Sequence, residues 1–122
     1  MSDGLIFFSC SHWKDDPERA IVPFVAANVA AVAGQTSVVF CTMDAVWIGT
    51  KGGTEGIEKE GFANLTALFA EFVENGGQAW LCQTCAKPRG IAEDMLVDGA
   101  KIVGAAKLIE QVVEGAKVIN IG

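Results

Sequence analysis

The sequence predicts an α/β fold, a three-layer sandwich on a mainly parallel sheet of about five strands. Three observations carry this reading. Apolar runs of strand length alternate with helix-period segments along the whole chain. The first run, Leu5-Ile6-Phe7-Phe8, is apolar at every position, as suits a strand buried on both faces. Turn signals, not linkers, separate the segments, so residues 1–122 read as a single domain with enough chain for one core.

Each element has its own local reason. After the first strand, Asp16-Pro17 offers an N-cap followed by proline at the first helical position. Ile21, Phe24, Val25, Asn28 and Val32 continue at helical spacing to Gly34, among alanines that allow close packing on a sheet. Pro23 either kinks this helix or marks its start. Thr36-Ser37-Val38-Val39-Phe40 reads as the second strand. Ala45-Val46-Trp47-Ile48 is a weaker strand or an apolar loop segment. Residues 49–56 hold four glycines and no hydrophobic pattern, which suggests a mobile surface loop. A helix is expected over 61–75, with Phe62, Leu65, Leu68, Phe69, Phe72 and Val73 as its apolar face and Gly76-Gly77 as its stop. Residues 78–81 form the third strand. Residues 91–96 suit one helical turn, Val97-Asp98-Gly99 a turn, and Lys101-Ile102-Val103 a short strand. A last helix carries Ala105, Leu108, Ile109 and Val112, and residues 117–121 close the sheet.

The motif that points to chemistry is Cys82-Gln83-Thr84-Cys85. A thiol between a strand and a helical turn sits at a positive dipole end. Lys87 and Arg89 follow within seven residues. Both influences favour thiolate, the nucleophilic form of sulfur. Cys82 is therefore the candidate reactive sulfur and Cys85 a candidate resolving partner. Parallel sheets bind ligands at the carboxyl ends of their strands. Cys10, Cys41 and Cys82 each end a strand, so a parallel sheet opens all three onto one edge. Cys10 and Cys41 adjoin apolar runs and also read as plain core residues. His12, the one histidine, is a polar loop residue or a proton donor and acceptor beside the thiols.

Other chemistries are disfavoured. One C-x-x-C with Cys10-Ser11-His12 makes a poor zinc set, so no metal site is expected. The glycine loop matches neither a phosphate cradle nor a dinucleotide fingerprint, and no cofactor is expected. There is no G-x-S-x-G for a serine hydrolase. Thioredoxin-like chemistry places its C-x-x-C after an early strand and before a long helix, whereas here the motif lies two thirds along the chain. A net charge of −6 argues against a nucleic-acid surface. Apolar residues make up 51% and charged residues 20%, which excludes disorder. The apolar stretch over 20–33 is interrupted by Pro23 and Asn28 and is too short to span a bilayer. The lead Met1-Ser2-Asp3-Gly4 lacks the cationic segment of a secretory signal, so a cytoplasmic location with reduced thiols is expected.

The chain resembles the DsrE/DsrF-like proteins, which include the sulfur carriers of tRNA thiolation and subunits of dissimilatory sulfur oxidation. The likeness rests on the early strand, the alanine-rich helix ending Ala33-Gly34, and Val38-Val39-Phe40. Further support comes from Leu81-Cys82, Arg89-Gly90-Ile91, and Gly115-Ala116-Lys117-Val118. It covers nearly the whole chain. The resemblance implies a flavodoxin-like fold and assembly as a trimer or hexamer. It also implies a persulfide on the cysteine that follows the strand and precedes a short helix ending in Arg-Gly, which is Cys82. Cys85, Cys10 and Cys41 depart from the carrier pattern.

The leading expectation is a sulfur carrier or sulfurtransferase-type subunit passing sulfur between donor and acceptor proteins through Cys82. Lys87, Arg89 and the helix start would stabilise its anion. The alternatives are a dithiol redox protein cycling Cys82 and Cys85, and a non-catalytic subunit whose cysteines only pack. The high apolar content, with Trp47, Ile48 and the glycine loop ill suited to an isolated surface, suggests a homo-oligomer.

Overall fold

The computed structural model describes residues 4–121. The lead Met1-Ser2-Asp3, on which the secretory-signal argument rests, lies outside the described residues. Five strands, β1 (Leu5–Cys10), β2 (Thr36–Cys41), β3 (Gln78–Cys82), β4 (Ala100–Val103) and β5 (Lys117–Ile119), form one sheet. Their order is β4-β3-β2-β1-β5, and every adjacent pair is parallel. This is the α/β sandwich that alternating strand and helix signals predict.

The strands step outward from β1 to β4. The chain then crosses back to lay β5 beside β1. A right-handed crossover that reverses direction must place its helix on the other face of the sheet. Accordingly α1 (Pro17–Val32) and α2 (Leu65–Glu74) cover one face, while α4 (Ala105–Val113) lies on the opposite one. On the first face Phe8, Cys10, Val39, Cys41, Ala79 and Leu81 pack with Ile21, Phe24, Leu65 and Phe72. On the second, Phe7, Val38 and Trp80 form a smaller cluster against which Leu108 of α4 rests. Neighbouring strand residues such as Phe7 and Phe8 point to opposite faces, which is why the run had to be apolar throughout.

The helix starts follow from capping. The Asp16 side chain accepts from the Arg19 N–H at 3.1 Å, and the Asn64 side chain accepts from the Ala67 N–H at 3.0 Å. Asn64 thus starts α2 four residues later than the apolar pattern alone suggests, and Phe62 is left exposed before it. Pro23 neither starts nor breaks α1, which runs through it. Buried Asn28 on α1 donates to Glu71 at 2.6 Å and accepts from Asn75 at 3.1 Å, a polar clamp onto α2 and its C-cap.

Two expectations are corrected. Ala45-Val46-Trp47-Ile48 is not a strand but part of a 3-10 helix over Met43–Gly49, with Ala45, Val46 and Ile48 buried. Nor is the glycine segment an unanchored surface loop. Gly49, Thr50 and Gly53 are buried, and the Lys51 N–H donates to the Met95 carbonyl at 2.9 Å. A Cβ at Gly53 would fall 1.8 Å from the Trp47 carbonyl oxygen, so this position admits glycine alone.

Candidate functional site

The strand ends place the predicted cysteines at the carboxyl edge of the sheet, but in two environments. Cys10 and Cys41 are register partners on β1 and β2 and are both fully buried. The Cys10 thiol has carbonyl acceptors at His12 (3.7 Å), Ala20 (3.9 Å) and Arg19 (4.0 Å). A hydrogen bond shared with Cys10, together with burial, pushes the Cys41 thiol well above its ordinary range. Both act as small core residues, the packing role that their apolar flanks allowed.

Cys82 differs because a helix begins at once after it. It ends β3 and serves as N-cap of α3 (Gln83–Ala86), a single turn, without accepting a side-chain cap bond. Cys82 and Cys85 are half-buried free thiols that pack against the main core. Gln83, which opens α3, and Lys87, its C-cap, are both exposed, whereas Ala86 is buried. A 3-10 turn over Lys87–Arg89 follows and is reversed by Gly90, whose φ of 72° is a left-handed conformation suited to glycine. The Ile91 N–H closes the turn on the Ala86 carbonyl at 3.1 Å.

The two cations have separate duties. Arg89 donates to the Asp44 carboxylate from two nitrogens, at 3.0 and 3.1 Å, and to the Cys85 carbonyl at 3.0 Å. It therefore ties the Met43–Gly49 helix to the thiol turn, a clamp that the sequence spacing does not reveal. Lys87 is exposed and pairs with no carboxylate among the described residues. It lines a shallow cleft with Gln83, Thr84 and Pro88. Beside Asp44, Met43 takes a φ of 52°, a conformation that costs a non-glycine residue about 1–3 kcal/mol and concentrates at functional sites.

His12 is bound to its own loop. Its Nδ1 lies 2.8 Å from an Asp15 carboxylate oxygen, and the Trp13 N–H donates to the other oxygen at 2.8 Å. The bond to His12 is the main reason the Asp15 carboxyl lies below its usual range. The i,i+3 spacing of this pair was a signal that sequence reasoning passed over. Next to it Trp13 stacks on Trp47, centroids 5.9 Å apart, and donates from its indole to the Gly53 carbonyl at 2.7 Å. Ile48 is buried and Trp47 half-buried within the fold, so these two side chains, expected to be ill suited to an isolated surface, are covered by the chain itself. Uncovered apolar side chains lie on α4 and β5, where Ile109, Val113 and Val118 are 60%, 81% and 56% exposed, and on α1, where Val29 and Val32 are each 66% exposed. No group of three or more His, Cys, Asp or Glu suited to a metal ion occurs among the described residues, and none of their helices is long and apolar enough to cross a membrane.

With this geometry in view, the chain belongs to the DsrE/DsrF-like family, whose model matches residues 5–121. It is 28% identical over 102 residues to an uncharacterized protein of Methanopyrus kandleri, covering 84% of this chain and 81% of that one. It is 30% identical over 88 residues to an uncharacterized protein of Methanocaldococcus jannaschii, covering 72% of this chain but only 32% of that longer protein. The fold is similar to the crystal structure of the YchN protein of E. coli, with a TM-score of 0.76 at 22% identity over 94% of this chain and 97% of that one. A protein of unknown function from Methanobacterium thermoautotrophicum gives a TM-score of 0.65 at 18% identity, over 95% of this chain and 97% of the other. These neighbours bear out the flavodoxin-like arrangement. The family implies a role related to sulfur relay.

Proposed function

We propose that this protein carries sulfur as a persulfide on Cys82, handing it from a donor protein to an acceptor. The observation that supports this most is the contrast among the strand-end thiols: Cys82 alone combines partial exposure with a helix turn opening directly behind it. In the loading step the Cys82 thiolate attacks the outer sulfur of a donor persulfide. The new S–S bond forms as the donor's S–S bond breaks, and the donor leaves as thiolate with no net oxidation. Lys87, at the C-cap of α3 and without an ion pair among the described residues, supplies a cation near the loaded sulfur. Arg89 acts through position, by fixing the turn.

A dithiol redox cycle is the second reading, favoured by Cys85 standing three residues on in the same turn. There Cys85 attacks the loaded Cys82, closes a disulfide and releases hydrosulfide. Incubation with a persulfide donor followed by intact mass separates the readings. A gain of one sulfur atom supports the carrier, a loss of two hydrogens the dithiol, and an unchanged mass rejects both. The carrier assembles as a homo-oligomer, a trimer or hexamer, which the exposed apolar side chains of α4 and β5 favour. Light scattering that returns the monomer mass at micromolar concentration overturns the assembly.

A further inference from the structure

A second concavity lies away from the thiols, between the glycine loop, α2 and the turn at Asp98-Gly99. It encloses about 400 Å³, within the range of small-ligand sites, and no cysteine lines it. Its floor is apolar, made by Ile48, Phe69, Val73 and Val97. Its rim carries threonine hydroxyls and carboxylates. The Thr54 and Thr66 hydroxyls share a hydrogen bond at 2.8 Å, and the Thr50 hydroxyl donates to the Trp47 carbonyl at 2.7 Å, leaving its oxygen free to accept. Glu55 and Asp98 stand at the mouth, and neither carboxylate pairs with a cation among the described residues.

We propose that this cleft binds a small organic cation, a protonated primary amine carrying a compact apolar group. The apolar group covers the floor and is removed from water there. The ammonium has three donors and no acceptor, which suits hydroxyl oxygens and two unpaired carboxylates. An anion of the same shape meets like charge at the mouth, within a chain of net charge −6. A neutral alcohol satisfies the hydroxyls but leaves both carboxylates without a counter-charge. The glycine loop holds the rim in place, since Gly53 accepts from Trp13 and Lys51 is bonded to Met95.

Phenethylammonium is a suitable probe, with 3-phenylpropionate and 3-phenylpropanol as matched controls, followed by amide chemical shifts on the whole chain. The expected result is saturable shifts confined to residues 48–55, 66–73 and 97–98, with the amine at least tenfold tighter than either control. Replacing both carboxylates, Glu55→Gln with Asp98→Asn, removes that preference. Ala70→Phe, at an exposed position lining the cleft, blocks it without touching an acceptor. Equal binding of anion or alcohol, shifts elsewhere, or no saturation with any probe overturns the proposal. So do concentration-dependent shifts at these residues without probe, which would mean that a second copy of the chain covers the cleft.

Discussion

Cys10 and Cys41 close β1 and β2 as Cys82 closes β3, yet the first two are sealed in the core and the third stands half-exposed at a helix start. The difference lies in what the chain does next. After Cys10 it runs over the strand end, so the carbonyls of His12, Arg19 and Ala20 gather round the thiol. Past Cys41 it folds into the Met43–Gly49 helix, which buries Ala45, Val46 and Ile48 above the sheet. Beyond Cys82 it turns at once into α3 and leaves the thiol at the turn's open end. A place at the carboxyl edge of a parallel sheet is therefore not enough to make a thiol available. The segment behind it decides.

The largest test of this contrast is removal of the available thiol. Cys82→Ser is expected to abolish sulfur loading, measured as cyanide-releasable sulfane sulfur, while Cys10→Ser and Cys41→Ser load as the natural chain does. Cys85→Ser keeps a longer-lived persulfide, because the thiol able to displace it is gone. Loading of Cys82→Ser at the natural level removes the contrast altogether.

The buried pair is probed by pH. The Cys10 hydrogen bond and burial raise the Cys41 value in the folded state, so its contribution is complete below the unfolded value of about 8.5. That contribution is lost as pH climbs toward the raised folded value. Unfolding free energy is expected to fall with pH above about 8.5, by up to about 1.4 kcal/mol per unit from this one proton. Cys41→Val, lacking the proton, gives a shallower fall. Parallel denaturation curves for the two proteins between pH 8 and 10 contradict the assignment.

A smaller effect belongs to the clamp between the two regions. Arg89→Ala removes a half-exposed ion pair with Asp44 and the bond to the Cys85 carbonyl. The expected cost is about 1 kcal/mol in urea unfolding. Iodoacetamide labelling of Cys85 should also quicken relative to Cys82 as the turn loosens. Unchanged labelling means that Arg89 does not hold the turn.

The smallest expected effect is at His12. His12→Ala takes away the hydrogen bond that lowers Asp15, so the Asp15 carboxyl, followed by carbon-detected NMR, titrates at higher pH than in the natural chain. Sulfur loading is unchanged, as befits an imidazole bound within its own loop. A loading defect would instead give His12 the acid–base role that its place near Cys10 first suggested.

Much of this was legible in the sequence because its causes are local. The run Leu5-Ile6-Phe7-Phe8, the Asp16-Pro17 start and the Gly76-Gly77 stop are decided within a turn or a strand, by alternation, capping and glycine's freedom. So was the address of Cys82, a strand end followed by a short turn closed at Gly90. The strand order, the helical state of Ala45-Val46-Trp47-Ile48 and the late start of α2 were not legible in this way. An apolar stretch of that length fits strand or helix equally, and the choice falls to the surface it packs on. Arg89 met Asp44, 45 residues away, and Trp13 met Trp47, through contacts that no spacing encodes. The sequence by itself determined which residues stand at the carboxyl edge. Only the tertiary structure decided which of those thiols stays open, because exposure depends on what distant segments bring over each one.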